Sequence, residues 1–227
     1  MSTTGESQVW REALIDVYDL VRAAVLRAWP ECQTKIRSYV PPRKRKQRRG
    51  RGRKSAQRED PITRDLIIRL RRDEALRSRL IINSQRELLP ENPEDEPDPL
   101  GYLDIAIEFF VLKEQLCLAI ECKRLNVPRI AGTPETLAGR YVEEGMMRFV
   151  SRQYSPDLPL GGMIGYVMDG NVTAAHAAIR HEIERAAATL GCHPPYVVLL
   201  QHPEYFSTDH ARPPAPIQLR HLLLPAN

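Results

Sequence analysis

A chain of 227 residues, 42% apolar, is long enough to bury one full α/β core and too short to add a large target-recognition domain. No apolar run approaches the roughly 20 residues a bilayer span requires and no signal peptide opens the sequence, so neither a membrane protein nor an exported one is expected, and the expected location is cytoplasmic. Net charge is +4, but it is unevenly spread: residues 43–58 (RKRKQRRGRGRKSAQR) hold ten Lys/Arg and no acid, and the rest of the chain carries 23 basic against 29 acidic residues.

In chain order, residues 7–29 read as an amphipathic helix. Val9, Trp10, Ala13, Leu14, Val17, Leu20, Val21, Ala24, Val25 and Ala28 recur at helical spacing. The expected role is docking on the core, and the wide apolar face also suits a second copy or a protein partner. The basic stretch follows. Its only apolar residue is Ala56, so it reads as a flexible arm, and Arg43, Lys44, Arg45, Lys46, Arg48, Arg49, Arg51, Arg53 and Lys54 suit nucleic-acid phosphates. Asp60-Pro61 opens a second helix running to residue 76, with Asp60 as cap and Ile62, Leu66, Leu70 and Leu76 as its apolar stripe. Residues 79–88 form a first strand, and 90–99 (PENPEDEPDP) a loop by composition.

Residues 102–110 (YLDIAIEFF) and 116–125 (LCLAIECKRL) then read as a hairpin, with 111–115 (VLKEQ) as its turn. Alternation places Leu103, Ile105 and Ile107 on one face and Asp104, Ala106 and Glu108 on the other. In the second strand it groups Cys117, Ala119, Glu121 and Lys123. The hairpin face that holds Asp104, Glu121 and Lys123 otherwise carries small residues. A buried, unpaired carboxylate costs several kcal/mol, and two carboxylates against one ammonium leave negative charge that a divalent cation would neutralise. A helix at 134–152, with Leu137, Tyr141, Met146 and Phe149 inward, a strand at 162–168, a helix at 172–190 and strands at 196–201 and 217–224 complete the chain. Domain organisation reads as an N-terminal helix (1–36), a basic arm (37–58) and an α/β domain (59–227).

The pattern D-x16-E-x-K on adjacent strands resembles the PD-(D/E)xK nuclease superfamily, and the order α-β-β-β-α-β around it matches that family's core. The resemblance implies a restriction-endonuclease-like mixed sheet flanked by helices and a Mg²⁺- or Mn²⁺-dependent nuclease. On that resemblance it would act on DNA in preference to RNA, as the subunit or effector of a bacterial defence or repair system such as antiviral defence. Asp104 and Glu121 would hold the metal with the carbonyl of Cys122 and, from the preceding helix, one acid out of Glu59, Asp60 and Asp65, with Glu59 preferred because Asp60 caps the helix. Lys123 would act on the attacking water or the transition-state charge. Glu108 would lie outside that inner set. By position, Arg140, Tyr141, Glu144 and Arg148 of the following helix would place substrate. Leu103 stands where the family name has Pro, and the literal Pro97-Asp98 lies in the acidic loop. The alternative is a non-catalytic nucleic-acid-binding or scaffold subunit of the same fold; either role allows a protein partner or a homo-oligomer.

Cys32, Cys117, Cys122 and Cys192 are scattered without a C-x-x-C pair and read as reduced thiols. His176 and His181 do not share a helix face. Cys192, His193, His202 and His210 read as loop and surface residues and not as a second metal site.

Overall fold

The computed structural model describes residues 4–39, 60–88, 101–128, 134–192 and 203–226. The basic arm, Glu59, the acidic loop with Asp98, His193, His202 and the strand expected at 196–201 lie outside these residues.

Six strands make one mixed sheet in the order β1-β2-β3-β4-β6-β5. They are β1 (Ile81–Leu88), β2 (Gly101–Val111), β3 (Glu114–Leu125), β4 (Leu160–Val167), β5 (Tyr205–His210) and β6 (Ile217–Pro225). The first three run antiparallel to one another; β3, β4 and β6 are parallel, and β5 closes the far edge antiparallel to β6. Helices cover both faces, as the fold class α/β requires. β4 is buried along its whole length, the pattern of a central strand covered on both sides.

One face is covered by α1 (Thr4–Tyr39) and α2 (Asp60–Leu70). Leu14, Tyr18, Val21, Val25 and Trp29 of α1 pack with Ile105, Ile107, Leu118, Ile120 and Cys122 of the hairpin. The helix therefore docks on the core, and it runs past the expected end at residue 29, straight through Pro30. A proline inside a helix loses a hydrogen bond and costs ~3 kcal/mol. Burial of Cys32 and Ile36 beyond it, with Trp29 donating to the Pro225 carbonyl at 2.7 Å, offsets that cost. The expected single helix over 60–76 is two: α2 ends at Leu70, and Asp73 accepts from the Ala75 N–H to start α3 (Glu74–Arg77).

The hairpin turn is tighter than VLKEQ. Val111 pairs with Glu114, leaving only Leu112 and Lys113, both at positive φ (50° and 73°). Two-residue hairpin loops require that conformation, which Asn-Gly usually supplies; Leu-Lys hides the signal. Alternation along β2 also breaks. Leu103 packs with Ala106 and Ala119, not with Ile105 and Ile107. The break falls where Gln85 of β1 adopts φ 50° and, in an otherwise continuous β1–β2 register, Gln85 and Asp104 alone do not pair.

The opposite face carries α4 (Ala138–Arg140), a π-helical stretch (Tyr141–Met146), α5 (Met147–Val150), α6 (Val172–Arg185) and α7 (Ala187–Leu190). The helix expected from residue 134 starts later because Glu135 pairs with Val127 through two backbone hydrogen bonds. Tyr141, Met146 and Phe149 are buried as expected, while Leu137 is only half-buried.

Candidate functional site

β2 and β3 are hydrogen-bonded from Val111↔Glu114 as far as Ile105↔Ile120. Beyond that point a side chain replaces the ladder: Asp104 Oδ2 accepts from the Cys122 N–H at 2.8 Å. The N–H and C=O of a strand residue point to the same side, so the Cys122 carbonyl also faces β2, where the regular pairing has ended. Asp104 is thereby held beside Glu121 across the open end of the hairpin.

Glu121 is fully buried. Its Oε1 accepts from Lys123 Nζ at 2.5 Å and from Arg148 Nη1 at 3.0 Å, and its Oε2 has no partner. Arg148 in turn donates to Tyr154 Oη, and Tyr154 Oη donates to the Tyr102 carbonyl at 2.6 Å. Helix and strand meet closely because residue 145 is glycine. A Cβ there would stand 2.7 Å from Met163 Cε and 3.7 Å from Lys123 Cγ. Ala106 and Ala119 keep the same face shallow.

Burial and the neighbouring Glu121 charge push the Asp104 carboxyl up to about 8, against the pull of Lys123, the Cys122 N–H and Arg148. Burial works against the Lys123 and Arg148 cations, yet Glu121 holds both above their usual values. The sequence reading of two carboxylates against one ammonium therefore needs correcting, because Arg148 is a second cation. What remains is one buried oxygen with no donor, next to a carboxyl held protonated at neutral pH. Both are oxygen donors of the hard type that Mg²⁺ or Mn²⁺ takes, and the Cys122 carbonyl adds a third on the same side. Among the described residues no group of three His, Cys, Asp or Glu side chains is placed to hold a metal ion. Expected ligands Asp104, Glu121 and Cys122 are brought together.

Of the residues assigned to substrate placement, Arg148 alone reaches the site. Arg140 and Glu144 are exposed and lie 4.0 Å apart as a surface pair. Tyr141 is fully buried and donates to His221 Nδ1 at 3.0 Å, so it faces the core and not substrate. Its place at the start of the π-helical stretch turns it inward. Glu108 is held by Arg86, Gln115 and Asn83. Tyr154, which positions Arg148, went unnoticed in the sequence because nothing in RQYSP distinguishes a site tyrosine from a loop one.

His210 is not a surface residue either. Its Nδ1 contacts the Leu190 carbonyl at 2.9 Å, so that nitrogen carries the proton. Thr208 then donates to His210 Nε2 (2.7 Å) and accepts from His221 Nε2 (2.9 Å), which leaves His221 Nδ1 to accept from Tyr141. Burial lowers the pKa of both histidines. All four cysteines are free thiols, and only Cys117 is less than fully buried. No helix among the described residues is long and apolar enough to cross a membrane.

In comparisons with known proteins, no family model, no curated protein and no solved structure matches this chain.

Proposed function

We propose that the protein is a metal-dependent nuclease of the PD-(D/E)xK type, hydrolysing phosphodiester bonds of DNA. One observation carries the reading: Glu121 is a fully buried carboxylate with an unpartnered oxygen, set beside Asp104 at the point where two paired strands part. A buried acceptor without a donor costs ~1–3 kcal/mol, and charged groups cost more. An orphaned buried acceptor calls for an explanation, and a bound cation is one that suits a carboxylate oxygen. A six-stranded mixed sheet flanked by helices is compatible with that reading.

Asp104, Glu121 and the Cys122 carbonyl are the groups that would hold Mg²⁺ or Mn²⁺. Bound there, the ion would offset charge developing on the scissile phosphate and acidify a water for in-line attack. Lys123 keeps an ammonium on the same face, able to orient that water or to meet transition-state charge. Arg148, half-buried and braced by Tyr154, presents a guanidinium whose planar fork suits phosphate oxygens. The basic arm would supply affinity for the backbone without regard to sequence.

A second reading, a non-catalytic scaffold, is favoured by one feature: Lys123 and Arg148 already neutralise Glu121 without any metal. Purified protein with plasmid DNA and Mg²⁺, with and without EDTA, separates the two. EDTA-sensitive nicking that is lost in Glu121→Gln supports the nuclease. Intact plasmid in every lane, together with no heat of Mn²⁺ binding, supports the scaffold.

A further inference from the structure

Along β3, Ala119 and Cys117 precede Glu121 on the same face at steps of about 7 Å. They and Leu103 floor an open cleft of about 530 Å³, walled on its far side by Pro156 and Leu158. The volume lies in the roughly 300–1,000 Å³ range of small-ligand sites. We propose that this cleft takes the base of one unstacked nucleotide adjoining the scissile phosphate, so that the preferred substrate presents an unpaired nucleotide. The inference rests on the nuclease reading and deepens it.

The chemistry of the lining argues for a base and against the phosphate backbone. Most of the lining is apolar, with Trp10 and Leu116 adding to Leu103, Ala119, Pro156 and Leu158, as an aromatic base ring requires. The rim is polar, but its cation is already engaged: Arg86 lies 2.6 Å from Glu108. Glu87 and Asp157 also line the cleft, and Asp157 is paired to Arg152 at 3.1 Å. Phosphates would be repelled there and drawn instead to Lys123, two steps beyond Ala119 on the strand, and to Arg148 beside Glu121. A base inside a duplex cannot present its ring to such a slot; it has to leave the stack.

The wall is a built feature. Buried Arg212 donates to the carbonyls of Phe149 (3.0 Å), Ser155 (2.9 Å) and Leu158 (3.0 Å), pinning the loop at both ends. Within that loop Arg152 and Ser155 hold left-handed backbone (φ 65° and 49°), a strain that L residues keep only where the surroundings enforce it. The same loop carries Tyr154, which braces Arg148. Cleft wall and phosphate-facing cation are thus one unit.

Cys117, the only cysteine that is not fully buried, reports on the cleft directly. Full-length protein in EDTA at pH 8 is alkylated with iodoacetamide, alone or with saturating oligothymidine or a blunt duplex, saturation being set by fluorescence anisotropy. The expected result is at least a tenfold slowing of Cys117 labelling by oligothymidine and less than twofold by the duplex, which engages the basic arm equally. Cys117→Trp, which fills the cleft, should raise KM for single-stranded DNA about tenfold and leave kcat within twofold. Equal labelling with and without oligothymidine, in a protein that cuts DNA with Mg²⁺, overturns the inference and leaves the nuclease reading standing. Protection by both nucleic acids alike also overturns it. A wild-type protein that cuts nothing sinks the nuclease reading, and this inference with it.

Discussion

Glu121 Oε1 receives the Lys123 ammonium at 2.5 Å and the Arg148 guanidinium at 3.0 Å, so one buried carboxylate oxygen joins the strand motif to the helix that follows it. The site is therefore charge-compensated before anything binds. Removing the acid exposes two cations to each other; removing a cation exposes the acid. The substitutions below divide along that line.

Asp104→Ala, Glu121→Ala and Lys123→Ala should each abolish plasmid cleavage, because groups acting as one unit fail together. Calorimetric Mn²⁺ binding should vanish in the two carboxylate variants and persist in Lys123→Ala. The sequence alone suggests that deleting either carboxylate relieves repulsion and holds or raises stability. With Arg148 in place that holds for Asp104 only. Glu121→Ala leaves buried Lys123 without its acid and strips half-buried Arg148 of its carboxylate, and should cost about 3–5 kcal/mol in a denaturant melt. An unchanged melt would show that the pairing is not formed in solution.

For metal-free protein, Asp104 sets a pH slope. Its carboxyl titrates near 8 when folded and near 3.9 when unfolded. Between those values the folded state binds the extra proton, so stability falls as pH rises from about 4 to about 8. In EDTA, Asp104→Asn should flatten this slope and melt above wild type at pH 8. Equal melting of the two proteins at pH 8 would refute the assignment of a penalised carboxylate.

Tyr141→Phe separates core from site. It leaves His221 Nδ1 buried without its donor, at a cost of about 1–3 kcal/mol, while cleavage per folded molecule should stay at the wild-type rate. Both buried histidines resist protonation, whereas the unfolded chain takes those protons below about 6.5. The unfolded state then binds more protons, so stability should drop as pH falls below that value. A large loss of kcat in Tyr141→Phe would return this tyrosine to the site.

Deleting residues 43–58 should leave the melt unchanged and weaken binding to every DNA sequence alike. If the arm meets about five phosphates, the slope of log K against log salt should fall by roughly 4. Cleavage at saturating substrate and low salt should survive. An unchanged salt slope would make the arm a spacer or a protein docking segment.

The sequence by itself determined the strands and the order of elements through β4, because apolar alternation and helical periodicity are local and strong there. It also picked out Asp104, Glu121 and Lys123, since charges inside an apolar strand pattern stand out without any tertiary information. What it could not carry was set by contacts between distant segments. Pro30 inside α1 is tolerated because Trp29, Cys32 and Ile36 around it are buried in the core. β5 was missed because Tyr205–His210 mixes polar and apolar residues that only its pairing with β6 turns into a strand. Helical spacing placed Arg140, Tyr141, Glu144 and Arg148 together as substrate residues. The π-helical stretch and the packing of α4 to α6 sent Tyr141 to His221, left Arg140 and Glu144 in solvent, and brought Arg148 alone to Glu121. Periodicity says which residues share a face, but which face meets the site depends on a helix register that only the packed fold sets.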